Sequence, residues 1–127
     1  MLNLEIYFRT AKIFRFSKKI SNFGERTVMV VISYAIVRDF IDANPQAADV
    51  MNNWYRVMSK ADWSNFHEIK SMFSNSVDAI GNDRFVFNVG GGNYRIIVLI
   101  FFDVRTMYVR FVGRHSEYDK LKNASAI

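Results

Sequence analysis

RFVFNVGGGNYRIIVLIFFDVRTMYVRFVGRHSEYD, residues 84–119, decides the fold. Its runs Arg84 to Val89, Tyr94 to Phe102 and Thr106 to Val112 are rich in Val, Ile, Phe and Tyr, side chains that suit a pleated, half-buried sheet. Gly90-Gly91-Gly92-Asn93 and Asp103-Val104-Arg105 separate them. Connections this short join antiparallel neighbours, so the three runs predict a meander. The glycines supply the positive φ that a tight hairpin needs. A phosphate cradle would instead continue into Lys-Ser/Thr and a helix, and here a strand follows.

Upstream, the period changes. Val28 to Ile32 is a short apolar strand that can join the meander as a fourth member. Ser33 stands where it can cap a helix over Tyr34 to Ala43, and Asn44-Pro45 stops that helix and starts another. From there Ala47, Val50, Met51, Trp54, Val57 and Met58 recur at three- and four-residue steps and mark the buried face of an amphipathic helix. Asp62 can cap a third, shorter helix carrying Trp63, Phe66, Ile69 and Phe73, with His67 and Lys70 on its other side. Helices must bury their stripes on one face of the sheet. The expectation is a single α+β domain, N-terminal helices packed on a small antiparallel sheet, with the other face at least partly open to solvent or ligand.

At 127 residues, half of them hydrophobic, the chain can bury one core and not two. It has no cysteine, which removes disulfides, thiolate nucleophiles and Cys-based zinc sites. The two histidines, His67 and His115, have no short metal-type spacing, so neither a metal nor another cofactor is expected. The apolar run from Ile96 to Phe102 is far short of the ~20 residues that span a bilayer. Lys and Arg are scattered among the N-terminal Phe and Ile residues, unlike a secretory signal. No membrane partner and a cytoplasmic location are therefore expected.

The formal charge of +5 is uneven. Residues 1–28 hold six Lys or Arg against two acids, residues 29–83 four against seven, and residues 84–127 seven against three. An anionic partner is directed to the C-terminal segment or the N-terminal arm, away from the helices.

Within that basic segment, strict alternation puts Arg95 on one face with Ile97, Leu99 and Phe101. It puts Tyr108, Arg110 and Val112 on the face opposite Met107, Val109 and Phe111. The strand then runs into Gly113-Arg114-His115-Ser116-Glu117-Tyr118, gathering arginines, a histidine and a tyrosine at one strand end. Metal-free RNA cleavage needs such an inventory: a base for the 2′-hydroxyl proton, cations for the phosphate, and an acid for the leaving 5′-oxygen. The residues alone leave a structural alternative open, in which Arg95 is solvated at its strand's start and Ser116 caps a final helix with Asp119 as capping-box partner. A Ser/His/Asp hydrolase is disfavoured, because no nucleophile-elbow motif is present.

RFVFNVGGGNYRIIVLIFF followed by YVRFVGRHSEYDKL resembles the C-terminal half of HigB-type toxins of the RelE-like group. Met29 to Ser33, the Asp39-Phe40 helix, Trp54 and the Asp62-Trp63 to Lys70 segment are similar to that family's N-terminal half. The resemblance covers about residues 29–122. It implies a toxin-antitoxin endoribonuclease, an mRNA interferase that cuts mRNA in the ribosomal A site, with a helix-turn-helix antitoxin as inhibitor. It places Arg95, His115 and Tyr118 in catalysis and puts Lys70 and His67 where the wider group has basic residues. Arg110, from the strand pattern, and Arg114, which departs from the family's small polar residue, are further candidates for RNA binding. Residues 1–28 are uncovered, and are read either as an arm of net charge +4 or as translation from a start upstream of Met29. Two rivals share this inventory: a non-catalytic RNA-binding module, and a gyrase-directed toxin of the related ParE type.

Overall fold

The computed structural model describes residues 28–127, so the N-terminal extension read from the sequence lies, but for Val28, outside the described residues. The elements are β1 (Val30–Ile32), α1 (Tyr34–Ala43), a 3₁₀ turn (Pro45–Ala47), α2 (Ala48–Lys60), α3 (Phe66–Phe73), β2 (Val77–Gly81), β3 (Arg84–Val89), β4 (Tyr94–Phe101), β5 (Thr106–Arg114) and α4 (His115–Asp119). The strands form one sheet in the order β1-β5-β4-β3-β2, with the predicted meander at its centre. The α+β class holds.

β1 does join the sheet, but parallel to β5, with Val31 opposite Met107. No hairpin links the two, so nothing forces antiparallel pairing on them. The fifth strand, β2, was not expected. With Asp78 and Ala79 inside it, its composition is poor for a strand. The turn that joins it to β3 carries the signal instead: Asn82 and Asp83 have φ of 53° and 62°, the two positive values of a type I′ hairpin.

The helices lay Val37, Met51, Trp54, Met58, Ile69 and Phe73 on the sheet's inner face, against Phe87, Ile96, Val98, Ile100, Met107 and Val109. Trp54 and Phe73 both meet Phe87 edge-on, with ring centroids 5.6 and 5.4 Å away. Each fully buried large side chain contributes about 1.5–3 kcal/mol, so this layer is the main source of stability. On the opposite, outer face, Val86 and Ile97 are also buried, at 4% and 0% exposure, although they stand apart from that core.

Two caps differ from expectation. Ser33 begins α1 with φ 77° and makes no capping bond with its side chain. Asn65, not Asp62, caps α3, accepting from the Glu68 amide. Asp62 is 1% exposed and forms an ion pair with Arg105 in the β4–β5 turn. The Arg105 carbonyl in turn accepts from the Val30 amide at 2.8 Å. The pair thus ties the segment before α3 to the turn that seats β1.

Removing one partner of a desolvated ion pair leaves the other uncompensated. Arg105 retains 23% side-chain exposure, so the cost falls below that of a wholly buried pair. Asp62→Ala is expected to lower stability by about 2–3 kcal/mol in urea unfolding. A change within about 0.5 kcal/mol, as at an ordinary surface position, would show that the pair is not structural.

Candidate active site

The site is built where β3–β4 and β5–α4 come together at one end of the sheet. Gly90, Gly91 and Gly92 have φ of 64°, 68° and 90°. At Gly90 a Cβ would also come within 2.9 Å of the Tyr94 ring, so this corner requires glycine. The loop then offers its carbonyls to its surroundings. Gly92 O accepts from Arg95 Nη1 at 2.7 Å, and Asn93 O accepts from the His115 amide at 2.9 Å. The second bond fixes the start of α4 against the glycine loop.

Arg95 stands opposite Gly113 on the sheet's outer face. Phe111 Cζ lies only 2.5 Å from where a Cβ on Gly113 would be, so the position next to Arg95 bears no side chain of its own. The Phe111 ring takes that space, and Tyr118 approaches Arg95 with its ring centre 6.0 Å from the guanidinium carbon, the range of a cation–π contact. On the other side of α4, Arg114, His115, Ser116 and Asp119 line an open depression of about 540 Å³ with Gly92, Asn93 and Tyr94. Through its bond to Gly92 O, Arg95 abuts the residue that walls this depression.

His115 Nδ1 lies 2.9 Å from Asp119 Oδ2 and its side chain is 54% exposed. This contact orients the imidazole and leaves Nε2 for a ligand. Arg114 precedes the helix, and its amide donates to Glu117 Oε1 at 2.7 Å while its Nε lies 3.4 Å from the same oxygen. That donation from the Arg114 backbone, with the nearby guanidinium, lowers the Glu117 pKa below the usual glutamate range. Glu117 therefore supplies the reaching-back carboxylate that the sequence reading assigned to Asp119, and Ser116 is not the cap. Asp119 instead holds His115, a role the sequence reading missed. The signal was present as a histidine and a carboxylate four residues apart on one helix.

Arg95, Arg114, His115 and Tyr118 are thus brought to one end of the sheet. Lys70 is not among them: its Nζ is held by Val77 O at 2.7 Å and Asp78 Oδ1 at 3.3 Å, where α3 meets β2. His67 is exposed one turn earlier on α3. Arg110 is also elsewhere. Ile97 pairs with Phe111 and Val98 with Val109, so Arg110 is the extra residue of a β-bulge. The bulge reverses the alternation that the sequence implied: Val112 packs on the core with Met107 and Val109, and Phe111 takes the outer face opposite Ile97. Arg110 Nε donates to the main-chain oxygen of Ile127 at 3.2 Å.

Fold and site together define a small α+β protein with a cationic and aromatic end suited to an anionic, base-bearing ligand. Among the described residues no three His, Asp or Glu side chains are grouped as a metal site requires. The family model of the HigB toxin, the RelE-like toxic component of a toxin-antitoxin system, matches residues 47–121. The chain is 33% identical over 94 residues to the mRNA interferase HigB of Escherichia coli O6:H1, covering 73% of this chain and 91% of that protein. It is 28% identical over 93 residues to the mRNA interferase toxin HigB of Escherichia coli K12, covering 72% of this chain and 88% of the relative. The chain belongs to the HigB toxin family.

A lowered Glu117 pKa means that its bond to the Arg114 amide is fully present above the ordinary glutamate value and is lost as pH falls through the lowered one. In an NMR titration the Arg114 amide proton should move with a midpoint below the ordinary glutamate value, and Glu117→Gln should abolish that transition. A midpoint at or above that value would mean that Glu117 does not hold the start of α4.

Proposed function

We propose that this chain is the toxin of a toxin-antitoxin pair and acts as an endoribonuclease on mRNA. The observation that carries the reading is the convergence of Arg95, Tyr118 and the His115–Asp119 pair around α4, at the end of the sheet. The family membership gives it weight, since the similar Escherichia coli proteins are named mRNA interferases.

In this reading His115 Nε2 takes the 2′-hydroxyl proton, with Asp119 stabilising the imidazolium that forms. The 2′-oxygen bonds to phosphorus as the bond to the 5′-oxygen breaks, and that oxygen is protonated by the Tyr118 hydroxyl or by water. Arg95 and Arg114 hold the phosphate, whose charge grows in the transition state. The Tyr118 ring can also stack on a neighbouring base. No step draws on a metal ion, so cleavage of a ribosome-free RNA should persist in EDTA. The ribosome as the place of cutting, a helix-turn-helix antitoxin as the inhibitor and a cytoplasmic location complete the proposal. No helix among the described residues is long and apolar enough to cross a membrane.

Fixed guanidinium forks act on the transition state more than on bound substrate. Arg95→Ala and Arg95→Lys should both lower single-turnover kcat strongly with modest loss of RNA affinity, because lysine keeps the charge without the fork. His115→Ala should lower cleavage by about 10²–10⁴-fold while melting like the parent. Full turnover in well-folded Arg95→Ala and His115→Ala proteins would remove both from the mechanism. Retained RNA binding with no cleavage by the parent would make the chain a binding module, and inhibition of supercoiling would make it a gyrase poison.

A further inference from the structure

On the sheet's outer face, away from the groove, Arg84 Nη2 and Arg110 Nε reach the same main-chain oxygen of Ile127, at 2.8 and 3.2 Å. Arg84 Nη1 is held by Asn82 O at 2.9 Å, and Arg84 Nε is buried with no hydrogen-bond partner. Among the described residues neither arginine has a side-chain carboxylate in ion-pair contact. Two guanidiniums drawn to one oxygen repel each other, and that oxygen leaves one N–H of Arg84 unmet. A phosphate would offer both guanidiniums several acceptor oxygens at once, in charge-assisted, bidentate bonds.

The position of the pair fits a polynucleotide that is already held at Arg95. Arg84 is opposite Leu99 on β4, four residues along the strand from Arg95 and on the same face, roughly 13 Å away at ~3.3 Å per residue. The bulge at Arg110 supplies the second arginine. Between the two sites lie the buried side chains of Val86 and Ile97. The chain after α4 returns to the far end of this face, where Ser125 O accepts from Asn82 Nδ2 at 3.1 Å.

We propose that Arg84 and Arg110 form a second phosphate subsite for RNA, and that the segment 120–127 occupies it until an RNA phosphate displaces the Ile127 oxygen. The proposal rests on RNA being the ligand at Arg95 and His115. It adds that the strand continues along the outer face of β4, and that binding releases the segment.

The test titrates the full chain with an uncleavable 2′-O-methyl oligoribonucleotide over a range of salt concentrations, in parent and Arg84→Gln/Arg110→Gln proteins. Losing one phosphate contact should reduce the slope of log affinity against log salt by about 0.7 and weaken binding roughly tenfold. In the parent, amide exchange in residues 121–127 should rise when the oligonucleotide binds. An unchanged slope in a folded double variant, or segment amides equally protected with and without RNA, would make the pair a fastener only and overturn the proposal. Should the double variant not fold, the exchange measurement on the parent decides alone. Cleavage of an unmodified RNA by the parent is scored separately, so a failed nuclease reading leaves a changed salt slope and a released segment visible.

Discussion

The one-residue bulge between Val109 and Phe111 governs the side on which every later side chain of β5 stands. Before it, Met107 and Val109 face the helices; after it, Val112 does, and Phe111 and Gly113 turn outward. Were the pairing from Val98 and Val109 continued without a bulge, Gly113 would turn inward and Val112 would stand opposite Arg95 on the outer face. The bulge thus sets the glycine of the strand opposite Arg95, where the Phe111 ring fills the space that a side chain would take. It also turns Arg110 out of the ladder toward Ile127.

A chain of short contacts builds the rest of the site on that register. The Asn93 carbonyl holds the His115 amide, Glu117 reaches back to the Arg114 amide, and Asp119 steadies the His115 ring. Each contact joins residues close in sequence or paired across adjacent strands, so the site inherits the rigidity of the β4–β5 ladder. α4 has five residues and would not persist as an isolated helix. It is held by the loop it meets and by the carboxylate at its third position.

The fold was legible because β3, β4 and β5 combine strand composition with short separators, and because the stripe through Met51, Trp54 and Met58 has a single period. β2 escaped because pairing with β3, not composition, makes Val77–Gly81 a strand. Asp62 looked like a cap from its place before an apolar run, and only the distant turn at Arg105 gives it another role. The site was legible in its residue types. Its geometry was not, since a bulge inserts no special residue: Arg110 differs from its neighbours only through the pairing of another strand.

The fold separates cations that serve the site from cations that serve the scaffold. A basic residue count directs an anionic ligand to residues 84–127 but treats their arginines alike. In the structure Arg105 neutralises a buried carboxylate, Arg95 and Arg114 stand at the groove, and Arg84 and Arg110 converge on a main-chain oxygen. Charge that is already compensated inside the fold adds little to ligand attraction. Arg95 and the Arg84–Arg110 pair thus stand toward opposite ends of the outer face of β4, with the buried side chains of Val86 and Ile97 between them. That distribution favours a linear polyanion over a compact one, because only an extended ligand meets both ends at once.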